Sequence, residues 1–263
     1  MRIAGSTVLL TGVTGGIGRT IAHRLASAGA DLVLTGRRRE VLEPLAAEFG
    51  ARSVVADMAD PKDVTRLAEE CAGTDILVAN AALPSSGELL DYTPEQVDRA
   101  IDVNLRAPVM LARLLAPHMV DSGRGHLVFV GSMSGKAATP SSSLYNATKF
   151  GLRGFAHGFR QDLHGTGVGV SIVQPGFVSD AGMFAETGAK APGGLGTVTP
   201  GKVAAGVLRA VERDLCEVNV APVEMKLLSA IAGQFPGFAE KVQRRSGAER
   251  TITQIVEAQR GKR

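Results

Sequence analysis

The chain has 263 residues, 44% of them hydrophobic and 21% charged, with a formal net charge of +3. That apolar content excludes a disordered chain and supplies a sizeable core, and the length is compatible with one α/β domain. The charge excess is small and no Lys/Arg run is interleaved with aromatic residues, which speaks against a nucleic-acid surface.

Apolar runs such as TVLLT and DILVANAAL are much shorter than the roughly 20 residues that span a bilayer, so no transmembrane segment is expected. After MRIAGS the chain enters a strand pattern with no apolar signal region, and a cytoplasmic location is expected. Cys71 and Cys216 fit no zinc or CxxC spacing and read as reduced thiols, leaving neither a metal site nor a disulfide to expect.

Seven β-rich runs alternate with helical stretches, at Thr7–Thr11, Asp31–Thr35, Arg52–Ala56, Asp75–Ala79, His126–Gly131, Gly169–Gln174 and Glu217–Ala221. Alternation of this kind implies right-handed crossovers and a parallel sheet covered on both faces. Asp60-Pro61 reads as N-cap and N1 of a helix, and Thr93-Pro94-Glu95-Gln96 as a capping box.

The first run leads into TGVTGGIG and then the helical RTIAHRLASAG. Gly12, Gly16 and Gly18, with Thr14 and Ile17 between them, form a turn whose backbone approaches a pyrophosphate while the helix N-terminus faces its charge. This strand-turn-helix predicts a dinucleotide site in a single Rossmann-type, doubly wound α/β domain with a seven-stranded, mostly parallel sheet. The second run ends in VLTGRRRE, where an acidic residue would favour NAD(H) and Arg37 and Arg38 stand instead. Guanidinium groups bond a 2′-phosphate, so NADP(H) is favoured over NAD(H), with Arg37 the first choice; the alternative is a solvated helix start. Asp57, followed by Met58 after the third run, is placed for the adenine, or it is a turn residue.

Asn104, in AIDVNLRAPVML, reads as helical, and Pro108 four residues on has no N–H to return to its carbonyl. Ser132 ends the fifth strand in VFVGSMSGK, at the carboxyl edge where ligands of parallel sheets sit, with Ser134 the competing choice. Tyr145 and Lys149 share one helix face at i and i+4, with Leu152, Phe155 and Phe159 at core-facing spacing beyond them. A nearby ammonium favours the phenolate, so Lys149 is expected to lower the pKa of Tyr145. The long irregular stretch from Asp180 to Val198 reads as a lid, in which Met183 and Phe184, with Met133 beside the serine, suggest an apolar substrate wall.

Residues 222–263 continue past the last strand as a helical extension, which from Glu240 to Arg263 carries seven Lys or Arg against three Glu. Three readings stand for it: a solvated basic tail, a flap over the pocket, or a peripheral contact with an anionic membrane through EMKLLSAIAGQFPGF.

TGxxxGxG, the strand-end serine and YxxxK, in that order and spacing, resemble the classical short-chain dehydrogenase/reductase family over residues 5 to 221. The resemblance implies a catalytic tetrad of Asn104, Ser132, Tyr145 and Lys149, with the tyrosine exchanging the proton, the serine holding the substrate oxygen and the lysine bonding the nicotinamide ribose. The asparagine's main-chain carbonyl would hold a water that connects the lysine to solvent. It also implies that Asn80 serves the cofactor pocket and that Pro175, Gly176 and Val178, in QPGFV, lie near the nicotinamide. Two departures stand out. The family's NNAG appears as Ala79-Asn80-Ala81-Ala82, and the threonine often found three residues beyond the Pro-Gly glycine is absent, Asp180 following Ser179, which leaves Ser179 or backbone to hold the carboxamide. The expected activity is hydride transfer between NADP(H) and a carbonyl or alcohol substrate by a homodimer or higher homo-oligomer. A non-catalytic NADP(H)-binding sensor is the rival of another class.

Overall fold

The structure, a computed structural model, describes residues 1–189, 191, 195–245 and 249–262. Within the expected lid, Lys190 and residues 192–194 lie outside the described residues, as do 246–248 and Arg263 of the extension.

The elements run β1 (Thr7–Thr11), α1 (Gly16–Ser27), β2 (Asp31–Gly36), α2 (Arg39–Glu48), β3 (Arg52–Val55), α3 (Pro61–Glu70), β4 (Ile76–Ala79), α4 (Pro94–Ile101), α5 (Ala107–Asp121), β5 (Gly125–Val130), α6 (Ser143–Asp162), β6 (Val168–Pro175), α7 (Pro200–Glu212), β7 (Glu217–Val220), α8 (Val223–Gln234), α9 (Pro236–Arg245) and α10 (Glu249–Gln259). The strands form one sheet in the order β3-β2-β1-β4-β5-β6-β7, and all its pairings are parallel. The order reverses between β1 and β4, and a crevice opens at the carboxyl ends of the strands there.

Strand periodicity explains the two faces. Leu9, Val33, Leu77, Leu127 and Phe129 point to one side and pack on Val64 and Leu67 of α3, Leu111 and Leu115 of α5 and Leu152 of α6. The alternate residues Val8, Leu10, Leu34, Val78 and Val128 meet Ile21 and Leu25 of α1, Leu42 of α2 and Val207 of α7 on the other. Both helix starts signalled by sequence form: Asp60 accepts from the Lys62 N–H at 2.8 Å, and Thr93 and Gln96 complete a reciprocal capping box. Phe155 stacks on Phe159 at 5.2 Å and meets Phe129 edge-on at 5.6 Å, fixing α6 to the sheet.

His126, inside β5, hydrogen-bonds Ser171 of β6 at 2.8 Å and is buried. Burial holds its imidazole down to about 4, against the opposing pull of Asp214. The unfolded chain takes up this proton below about pH 6.5 and the native chain only near 4, so the stability His126 contributes is complete above the first value and lost as pH falls toward the second. The loss amounts to about 3 kcal/mol. Denaturant unfolding of His126→Gln between these pH values should show a flatter stability curve than the wild type.

Candidate active site

The phosphate end is built by close approach. Gly12 adopts φ +71°, a left-handed conformation that glycine allows without strain, and a Cβ there would lie 2.7 Å from the Ala81 Cα. A Cβ on Gly18 would strike the Gly12 carbonyl oxygen, and one on Gly16 the Ala181 side chain. Asn80 locks this turn, its Nδ2 donating to the Thr11 and Gly12 carbonyls at 3.1 Å each, while the Thr11 hydroxyl accepts from the Asn80 and Ala81 N–H groups at 3.0 Å. No side chain caps α1 at Gly15, so its first N–H groups face the crevice as an anion site. Gly18→Ala should therefore weaken dinucleotide binding at least tenfold in a calorimetric titration, by an overlap that only backbone movement relieves.

Arg37 and Arg38 follow β2 exposed at the edge of the crevice, and neither pairs with a carboxylate among the described residues. Asp57 is engaged at its own turn: one carboxylate oxygen accepts from the Ala59 N–H at 3.0 Å and the other from Arg99 at 3.2 Å. Its edge and the neighbouring Met58 still line the crevice, as do Thr14 and Ile17.

The chemical end lies across the sheet. Ser132, just past β5, donates its N–H to Gln174 Oε1 at 2.8 Å, and its hydroxyl accepts from the Ser134 N–H at 3.1 Å. Ser134 thus braces Ser132 through its backbone. The Ser132 hydroxyl also faces the Tyr145 phenol across the cleft and favours its ionised form. Tyr145 keeps part of its surface open to the crevice, yet its phenol sits deep enough that burial raises it above the usual tyrosine value, with the Ser132 hydroxyl only partly offsetting this.

This corrects the expectation for Lys149. Its ammonium lies 5.7 Å from the Tyr145 ring centre and donates to the Val130 carbonyl at 3.1 Å, and burial lowers its own pKa to about 8. Desolvation outweighs the attraction that would have favoured the phenolate, so the phenol stays protonated. Gly135 packs on the Lys149 main chain, where a Cβ would come within 2.7 Å of its carbonyl oxygen. A single carboxylate ties the serine loop to α6: Glu217 of β7 accepts from Lys136 at 2.6 Å, Arg153 at 2.7 Å and His157 at 3.0 Å. Burial pushes Glu217 up, but these bonds together hold it down to about 2.

Asn104 does not sit in an α-helix. It lies in a five-residue π-helical segment, Asp102–Arg106, in which the Ala107 N–H reaches back to the Asp102 carbonyl just before Pro108 removes the next donor. Its buried side chain clamps the loop after β4, accepting from the Leu83 N–H at 2.7 Å and donating to the Leu83 carbonyl at 3.0 Å and the Ser85 hydroxyl at 3.3 Å.

Pro175, Gly176 and Val178 line the crevice beside Tyr145, but Ser179 does not: its hydroxyl turns to Asp180 at 2.7 Å, where the chain takes φ +63°. Backbone groups near Val178 are the ones left to meet a carboxamide. Met133, Met183 and Phe184 all reach the crevice, the last paired with Phe177 at 4.6 Å between ring centres. The C-terminal helices roof it: Leu228, Ile231, Phe238, Val242, Ile252 and Val256 complete a cleft of about 2030 Å³. Gln259 donates to the Met183 carbonyl at 3.4 Å, joining α10 to the lid.

Sequence reasoning missed Thr11, Gln174 and the Leu83–Ser85 loop, and held the roof as one of three readings of the extension. Only Gln174 left a signal, as a polar residue directly after the apolar Ile172-Val173 of its strand.

Among the described residues no helix is long and apolar enough to cross a membrane, and no cluster of His, Cys, Asp or Glu forms a metal site. The profile of the short chain dehydrogenase family matches residues 6–192. The ketoacyl reductase HetN of Nostoc sp. is 33% identical over 256 residues, which cover 92% of this chain and 89% of that one. Among solved structures, a short-chain dehydrogenase from Sphingobium yanoikuyae in complex with NADPH superposes with a TM-score of 0.77 at 30% identity, covering 89% of this chain and 95% of that one. A metagenomic short-chain oxidoreductase in complex with NADP gives 0.71 at 31% identity, over 85% and 99%.

Proposed function

The chain belongs to the short-chain dehydrogenase/reductase family of oxidoreductases, and from that premise we propose that it reduces a ketone on an apolar molecule to a secondary alcohol with NADPH. The observation that carries this reading is the meeting of Ser132 and Tyr145 beside buried Lys149, in the same cleft as an uncapped helix start and two arginines that pair with no carboxylate among the described residues. The tight glycine turn supports a dinucleotide there, since its missing Cβ atoms let the turn close on Asn80 and Ala81 and set the start of α1 against the crevice. Arg37 and Arg38 would hold a 2′-phosphate, Asp57 and Met58 border the adenine, and Asn80, Pro175, Gly176 and Val178 shape the inner end. The bound cofactor supplies the hydride.

The protein handles the proton. The Ser132 hydroxyl orients and polarises the carbonyl oxygen, and the Tyr145 phenol, kept protonated by burial, donates to that oxygen as it gains charge. Lys149, its pKa lowered by burial to about 8, returns a proton to Tyr145. In the family's arrangement a water on the Asn104 carbonyl would connect that lysine to solvent. Apolar lining by Met133, Met183, Phe184 and the roof helices excludes water and favours a hydrophobic substrate. The 33% identity to a ketoacyl reductase supports a carbonyl substrate. A panel of apolar and polar ketones, assayed with NADPH and NADH in parallel, tests the reading; turnover confined to polar ketones or to NADH would overturn it.

A further inference from the structure

Helix α8, VEMKLLSAIAGQ, is apolar nearly all round, a composition that belongs to a helix covered on every side. It buries only Met225 and Ser229. Val223, Leu227 and Phe235 stand 75%, 61% and 64% exposed, and Phe238 at the start of α9 stands 62% exposed. The apolar row continues to Val242, and exposed Lys226 and Lys241, with Glu224 and Glu240, flank it.

Two further facts decide what covers this face. Residues 222–263 carry eight Lys or Arg against four Glu, a net positive segment that an anionic surface attracts and that a second copy of the same segment repels. The face also continues into the cleft: Leu228, Ile231, Phe238 and Val242 are exposed and line the cavity that holds Tyr145. Two phenylalanines projecting from the α8–α9 turn, with lysines to either side, match the chemistry of a segment lying in a lipid interface.

The geometry points to α8 and α9 as a docking surface for an anionic lipid bilayer, seating the mouth of the cleft on the membrane. Its bearing on the reaction, that an apolar ketone enters from the lipid phase, rests on the carbonyl-reductase reading; the docking itself does not.

The full chain, without substrate, is floated with vesicles of phosphatidylcholine alone and of phosphatidylcholine with phosphatidylglycerol. Binding to the anionic vesicles is expected, weakened by high salt because its electrostatic part is screened. The double variant Leu227→Asn, Phe235→Asn changes two side chains outside the cleft lining and should bind these vesicles at least tenfold less, with NADPH affinity and gel-filtration size unchanged. The proposal is overturned if the wild type fails to float with anionic vesicles, or if the variant floats as well as the wild type. It is equally overturned if the variant loses self-association while neither protein binds lipid, which would assign the face to a second copy. Failure of NADPH binding in either protein would count against the reductase reading alone.

Discussion

Tyr145→Phe is expected to lower kcat for ketone reduction by roughly 100- to 10,000-fold, the range that one positioned proton donor supplies, while NADPH affinity measured by calorimetry stays at the wild-type value. Phenylalanine keeps the ring that packs near the Lys149 ammonium and removes only the hydroxyl that meets Ser132. Loss of binding and catalysis together would mean that the ring, and not the proton, is what the site requires. Because burial raises the phenol above its usual value, the reductive direction should hold its rate across neutral pH, where the proton donor is present. The reverse oxidation needs the phenolate and should rise with pH.

The second large effect concerns cofactor choice. Removing both guanidinium groups in Arg37→Ala, Arg38→Ala is expected to weaken NADPH binding by roughly 100-fold, equivalent to about 3 kcal/mol for two charge-assisted contacts to a phosphate. NADH binding should be unchanged, since that cofactor has no 2′-phosphate. Both residues are exposed and neither pairs with a carboxylate among the described residues, so the fold loses little when they go. A wild type that binds NADH as tightly as NADPH would remove the basis for this assignment.

The sheet was legible because most of its strands are short apolar runs bounded by a clear turn or cap, the polar β3 and β7 at its two edges being recognisable by their valines and their place in the alternation. Asp60-Pro61 and the Thr93–Gln96 box formed because local chemistry alone decides such caps. Ser132, Tyr145 and Lys149 meet as spacing suggested, but their electrostatics did not follow from spacing. Whether an ammonium or desolvation governs a phenol depends on depth, and only the packing of Gly135 against Lys149 and the closure of the cleft set that depth. The π-helical segment at Asn104 was equally hidden. Pro108 marks a missing donor, yet it does not say that the preceding turn widens or that the Asn104 amide clamps Leu83 and Ser85 across 21 and 19 residues of sequence. The extension was the least readable part, because α8 has no polar stripe to fix its orientation and its contacts are with the distant lid and cleft. Ser179, offered by sequence as a carboxamide contact, turns away because Asp180 adopts a left-handed backbone and captures its hydroxyl.

The most direct test of the account is transfer of label from NADPH deuterated at the reactive C4 position to an apolar ketone, followed by mass spectrometry of the alcohol. The account predicts one deuterium on the carbinol carbon with the wild type, and label transfer reduced to trace by Tyr145→Phe under conditions where both proteins bind NADPH. Tight NADPH binding with no label transferred to any carbonyl compound in a broad panel would contradict it and identify the chain as a cofactor-binding protein without reductase chemistry.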